Sequence, residues 1–94
     1  MGELPAIELL EATHQFPGKF MFKAIGRSEN GFAARVVAAV RDELASEADP
    51  PFRLRHTANG LHVAVTVEPT VQRVEQVLAV FRRIRRIPGL VMMM

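Results

Sequence analysis

Asn59-Gly60 stands between two runs in which apolar and polar residues alternate, Pro51 to Ala58 and Leu61 to Glu68. This dipeptide in this setting is the strongest short-range signal for a hairpin, because Asn and Gly best tolerate the positive φ of a two-residue type I′ turn. Such a turn fixes the register. Ala58 faces Leu61, Thr57 faces His62, His56 faces Val63, and the pairing continues to Phe52 with Val67. Phe52, Leu54, His56, Ala58, Leu61, Val63, Val65 and Val67 then share one face, expected to be core. Arg53, Arg55, Thr57, His62, Ala64, Thr66 and Glu68 share the other, expected to meet solvent or a partner.

A chain of 94 residues is expected to form one domain, 1–94, with an N-terminal arm over 1–15. It carries no cysteine, so no disulfide framework and no thiolate chemistry is available to it. The formal charge is only +2, so the pI of about 9.9 reflects arginines that never titrate near neutrality rather than a strong positive field. No apolar run approaches the ~20 residues of a membrane span. No basic region precedes an apolar stretch at the N-terminus, and Ala6 stands where a myristoylation signal needs Ser or Thr. The expected compartment is cytoplasmic, with no membrane association.

Along the chain, Gly2 to Gln15 reads as a helical turn begun at Pro5 or an extended arm. Lys19 to Gly26 reads as a strand with Phe20, Phe22 and Ala24 toward the core. Phe32, Val36, Val40 and Leu44 lie at four-residue spacing and predict a helix from Gly31 to Ser46. After the hairpin, Thr70 is the expected N-cap of a second helix, Val71 to Ile87. Pro88-Gly89 stops it before a last strand, Leu90 to Met94. The order β-α-β-β-α-β predicts an α+β fold: a ferredoxin-like sandwich with a four-stranded antiparallel sheet in the order 4-1-3-2 and both helices on one face. The opposite face stays open unless the arm or a partner covers it.

The run Phe16-Pro17-x-x-Phe20-x-Phe22-Lys23-x-Ile25-Gly26 resembles the opening signature of the YbeD-like family, small bacterial proteins of unknown function. Arg55-His56-Thr57 followed by Gly60 resembles that family's central hairpin. Val74-Glu75-x-Val77 and Leu90-Val91-Met92 fit as well, so the resemblance covers residues 8–94. Leu61-His62 departs from the family's aromatic and small polar residues, and Phe81 stands near a usual Tyr. The resemblance implies an ACT-like, ferredoxin-like fold. ACT-like domains often bind amino acids or other small effectors and often pair through their sheets. The family supplies no catalytic residues.

Gly26 to Gly31 has the spacing of a phosphate-binding loop, but Phe32-Ala33 follows where Lys and Ser/Thr are required. What remains is a looser ligand-facing loop at a helix N-terminus, with Gly26, Arg27, Ser28, Asn30 and Gly31 as its residues. His56 and His62 fall on opposite hairpin faces and cannot share an ion, so no metal and no cofactor is expected. Arg82, Arg83, Arg85 and Arg86 form a collar at a helix C-terminus, where cations suit the helix dipole. The open sheet face is the candidate partner surface, with Met21, Lys23, Ile25, Arg53, Arg55, His62 and Ala64. It lacks the aromatics that sheet-type RNA readout needs, so nucleic acid is disfavoured. No nucleophile, base and orienter recur near one another, so no enzyme is expected. The expected role is an ACT-like regulatory module for a small effector such as an amino acid. The alternative is a protein-interaction or homodimerisation module working through the open sheet face.

Overall fold

The computed structural model describes residues 7–94. The hairpin forms from β3 (Phe52–His56) and β4 (His62–Val67), with Phe52 opposite Val67, Leu54 opposite Val65 and His56 opposite Val63, the register that the alternation predicts. Its turn is different. Thr57 N–H donates to the His62 carbonyl at 2.9 Å, and Gly60 N–H donates to the Thr57 carbonyl at 2.9 Å. Gly60 is left-handed, with φ 74°, whereas Asn59 is not among the residues of positive φ. Instead Asn59 uses its side chain: Oδ1 accepts from the Leu61 N–H at 3.0 Å and from the Thr57 hydroxyl at 2.7 Å. A four-residue loop, 58–61, thus replaces the type I′ turn, and Ala58 does not pair with Leu61. An Asn side chain that satisfies a nearby N–H removes the need for the strained backbone. Both loops are centred on the same bond, which is why the register survives. Asn59→Ala should remove both side-chain bonds and lower stability by about 1 kcal/mol. The melting temperature should fall by about 4–8 °C in a thermal scan.

The predicted core face also needs correction. Val63, Val65 and Val67 are buried, but Phe52 and Leu54 are 47% and 45% exposed, and His56, Ala58 and Leu61 are exposed too. The reason is the strand order: β3, β4, then β2 (Phe22–Arg27), then β6 (Leu90–Met93), in which β3 is an edge. Helix α2 (Phe32–Glu43) lies over β4 and β2, so its cover stops short of β3.

Strand β2 is central, antiparallel to β4 on one side and to β6 on the other. Phe22 and Ala24 are each 1% exposed and face the helices. The strand expected from Lys19 to Gly26 is in fact broken at Phe20-Met21. Gly18–Lys19 is a separate strand, β1, paired antiparallel with β5 (Thr70–Val71), while the Phe20 N–H donates to the Pro69 carbonyl at 3.0 Å. Thr70 is therefore a strand residue opposite Lys19, not a helix cap. Helix α3 (Val74–Arg85) follows Arg73, whose backbone is extended, and Gln76 reaches back to accept the Gln72 N–H at 2.6 Å.

Helix α2 ends at Leu44, where Ala45 turns left-handed with φ 54°, so the expected run to Ser46 is shorter. Val36 and Val40 of α2 and Val77, Val80 and Ile84 of α3 are fully buried against each other and the sheet. Arg83, one of the collar, pairs with Glu43 across the two helix ends at 3.1 Å.

Helix α1 (Ile7–Thr13) packs beside α3 through buried Leu10, and the His14 ring lies 4.7 Å from that of Phe20. This part of the N-terminal arm sits with the helix layer and not over the open sheet face. Pro5, where the arm's helical turn was expected to begin, lies outside the described residues. The described residues form a small α+β fold with three helices and two antiparallel sheets, of four and two strands. Among them, no helix is long and apolar enough to cross a membrane.

Candidate functional site

The face of the four-stranded sheet turned away from the helices carries three rows of side chains, set by the register. One row runs Met92, Ile25, Ala64, Arg55 across β6, β2, β4 and β3. Beside it run Lys23, Thr66 and Arg53, and on the other side Arg27 and His62. An apolar centre is thus flanked by cations. Lys23, Arg53, Arg55, Ala64 and Thr66 line a shallow depression of about 290 Å³. Arg53 reaches Glu68 at 3.5 Å and Arg27 reaches Glu29 at 3.1 Å, both among well-exposed side chains. Exposed pairs of this kind contribute about 0–1 kcal/mol and exchange readily for a partner's carboxylate.

Of the seven predicted partner residues, Lys23, Ile25, Arg53, Arg55, His62 and Ala64 are brought together on this face. Met21 is not. It lies at the break before β2, 49% exposed, and pairs with no strand of the larger sheet.

The predicted ligand loop does not converge on a point. Gly26 belongs to β2 and is buried: a Cβ placed on it would stand 2.3 Å from Cζ of Phe32 and 2.5 Å from both Cε atoms. Arg27 is also in β2, and its N–H donates to the Gly89 carbonyl at 3.0 Å. The Ser28 N–H donates to the Leu61 carbonyl at 2.9 Å, and the Glu29 N–H to that of Arg27 at 2.8 Å. Asn30 and Gly31 are both left-handed, with φ 55° and 68°, which turns the chain into α2. Beside them Ser28, Gly31, Ala33 and His56 border a recess of about 210 Å³.

A larger groove, about 460 Å³, runs between α2 and β3. Ala34, Val37 and Ala38 form one wall, Phe52 and Leu54 the other. Arg41 stands at one end, bonded to Asp42 and Asp49 at 3.0 Å each. Those bonds, Asp42's first, raise the guanidinium's already high pKa and hold it charged.

A family model described as "Protein of unknown function (DUF493)" matches residues 11–94, nearly the whole chain. The chain belongs to the DUF493 family. This is the family of small proteins that the Phe-Pro-to-Gly signature resembles. The DUF493 match takes in the sheet face, the loop and the groove alike. No curated protein matches the chain.

In this DUF493 chain, sequence reasoning missed two members of the sheet face and the whole groove. Arg27 was assigned to the loop, although strand alternation continues through Gly26 to reach it. Met92 was missed because Leu90 to Met94 is apolar throughout and offers no alternation to read. The groove was hidden because alternation assigns Phe52 and Leu54 to the helix side without revealing that α2 does not extend over them.

Proposed function

We propose that this DUF493 protein is a non-enzymatic interaction module of ferredoxin-like type, whose working surface is the open face of the four-stranded sheet and whose partner is an acidic protein surface. The observation that carries this reading is the row Met92, Ile25, Ala64, ended by Arg55 and lying between Lys23 and Arg53 on one side and Arg27 and His62 on the other. Apolar centres with charged rims suit protein partners. The surplus of cations favours an acidic partner over a second copy, whose like-charged face would be repelled. The ferredoxin-like reading is supported by the strand order β3-β4-β2-β6 with α2 and α3 on one face. Helix α1 and the β1-β5 ribbon are additions to that plan.

The ACT-like reading, a small effector at the Gly26–Gly31 loop, has less support. The N–H groups of Ser28, Glu29 and Phe32 already donate within the protein, and Glu29 is among the residues lining the recess.

Affinity capture from cell extract, comparing wild type with Lys23→Glu/Ile25→Asp, tests the sheet face. Both side chains are half-buried on the open face, so a thermal scan of the variant accompanies the capture to show that the fold is kept. The captured acidic protein should bind the variant about tenfold more weakly or worse. Equal capture by both forms would remove the sheet face as the site. A thermal shift screen with amino acids and nucleotides tests the effector reading, since a ligand of the native state raises the melting temperature. A rise that is lost in Asn30→Ala but kept in Lys23→Glu/Ile25→Asp would move the function to the loop.

A further inference from the structure

Among the described residues, nothing pairs with the outer edge of β3. The Glu68 N–H donates to the Pro51 carbonyl and the Thr57 N–H to the His62 carbonyl, both at 2.9 Å, and these bonds set the phase of the ladder. Bonded residues alternate along an antiparallel pair. Arg53 and Arg55 therefore direct their main-chain groups to β4, while Phe52, Leu54 and His56 direct theirs outward. Phe52 and Leu54 also border the groove beside α2, and their side chains are nearly half exposed. Edge strands are commonly blunted by charged side chains, a bulge, a proline or great shortness, and of these β3 carries charge alone, in Arg53 and Arg55. β3 keeps a regular register over its five residues, whereas the pairing of β6, at the other edge, shifts between Ile25 and Gly26.

We propose that the outer edge of β3 accepts an extended segment of a partner protein as an added strand, and that this segment alternates acidic with apolar side chains. Main-chain bonds to Phe52, Leu54 and His56 supply the pairing, and side chains on alternate faces supply the choice of partner. Apolar side chains enter the groove beside Phe52 and Leu54. Acidic ones, on the other side of the sheet, meet Arg53 and Arg55. A second copy of this chain is a poor occupant. Antiparallel pairing centred on Leu54 would set Arg53 of each copy against Arg55 of the other, and like charges directly opposed are destabilising. The inference goes beyond the sheet-face reading, sharing only Arg53 and Arg55 with it.

The probe is a short synthetic peptide alternating glutamate with valine, titrated into isotope-labelled protein and followed by amide spectra and hydrogen exchange. Saturable binding is expected, with shifts and slowed exchange at Phe52, Leu54 and His56. A peptide alternating lysine with valine should not bind. Leu54→Pro removes an outward donor that β4 does not use, a change that a free edge tolerates. It should weaken binding by about tenfold. Ala34→Gln, at an exposed helix position, should fill the groove and weaken binding similarly. Ile25→Asp, on the sheet face, should leave it within about twofold. Absence of binding, or equal binding of the lysine peptide, overturns the proposal. So does binding that leaves the edge amides unchanged and is abolished by Ile25→Asp, an outcome under which the sheet-face reading stands alone. If Leu54→Pro fails to fold, Ala34→Gln decides, and undiminished affinity there overturns the proposal.

Discussion

Phe32→Ala should destabilise the protein by about 3–5 kcal/mol, a large share of the ~5–15 kcal/mol that holds a domain of this size together. Phe32 is 2% exposed, and its ring lies directly against the Gly26 backbone, in the space that a Cβ at position 26 would need. Removing it leaves a void between β2 and the start of α2. The reverse change, Gly26→Ala, drives a methyl into the ring and should cost about 1–3 kcal/mol. The two sites are coupled. Phe32→Leu removes the Cε and Cζ atoms that the new Cβ would strike, so Gly26→Ala should be markedly less harmful in a Phe32→Leu background. Urea denaturation of the four proteins measures this as a double-mutant cycle, and strictly additive losses would mean that the two residues do not compete for one space.

Phe22→Ala should lose about 3–5 kcal/mol as well. Phe22 is 1% exposed at the centre of the main sheet, with its ring 4.9 Å from that of Phe20 and 5.3 Å from that of Phe81, the latter edge-on at 73°. These contacts join β2 to α3 and to the break that precedes β2. Edge-on aromatic pairs add about 0.5–1.5 kcal/mol each beyond area burial, so Phe22→Leu should still show a loss, though one under about 2 kcal/mol. Urea midpoints for the two variants check the difference. A Phe22→Leu protein as unstable as Phe22→Ala would point to ring geometry rather than volume as the controlling factor.

The sheet register was legible in the sequence because two constraints agreed. Alternation assigned Val63, Val65 and Val67 to one face, and Asn59-Gly60 located the turn. The backbone of that turn was not legible, since Asn serves equally by taking positive φ or by lending its side-chain carbonyl, and composition does not separate the two. Alternation also says which side of a sheet a residue takes but not whether a helix lies above it. Phe52 and Leu54 were therefore counted as core when they form a groove wall. The break at Phe20-Met21 was invisible for a related reason. Phe20 and Phe22 are both buried, so the pattern runs unbroken across a point where the chain leaves one sheet for another. Thr70 looked like a cap because strand residues immediately before a helix can carry the same hydroxyl. Most of the sheet face followed from the register, whereas the free edge of β3 depends on where a second element stops, and no local pattern records that.

The symmetry of the hairpin tip has a consequence for change over time. Its four-residue loop and a two-residue one centre on the same bond, so lengthening or shortening the tip by one residue on each side leaves every rung of β3 and β4 in place. A single-residue insertion within the loop makes a five-residue connection, which hairpins also use, and leaves the rungs alone. One within β3 has no such freedom: unless a bulge absorbs it, it exchanges Arg53 and Arg55 with Phe52 and Leu54. Length variation should therefore gather between residues 58 and 61 and be resisted in the strand on either side.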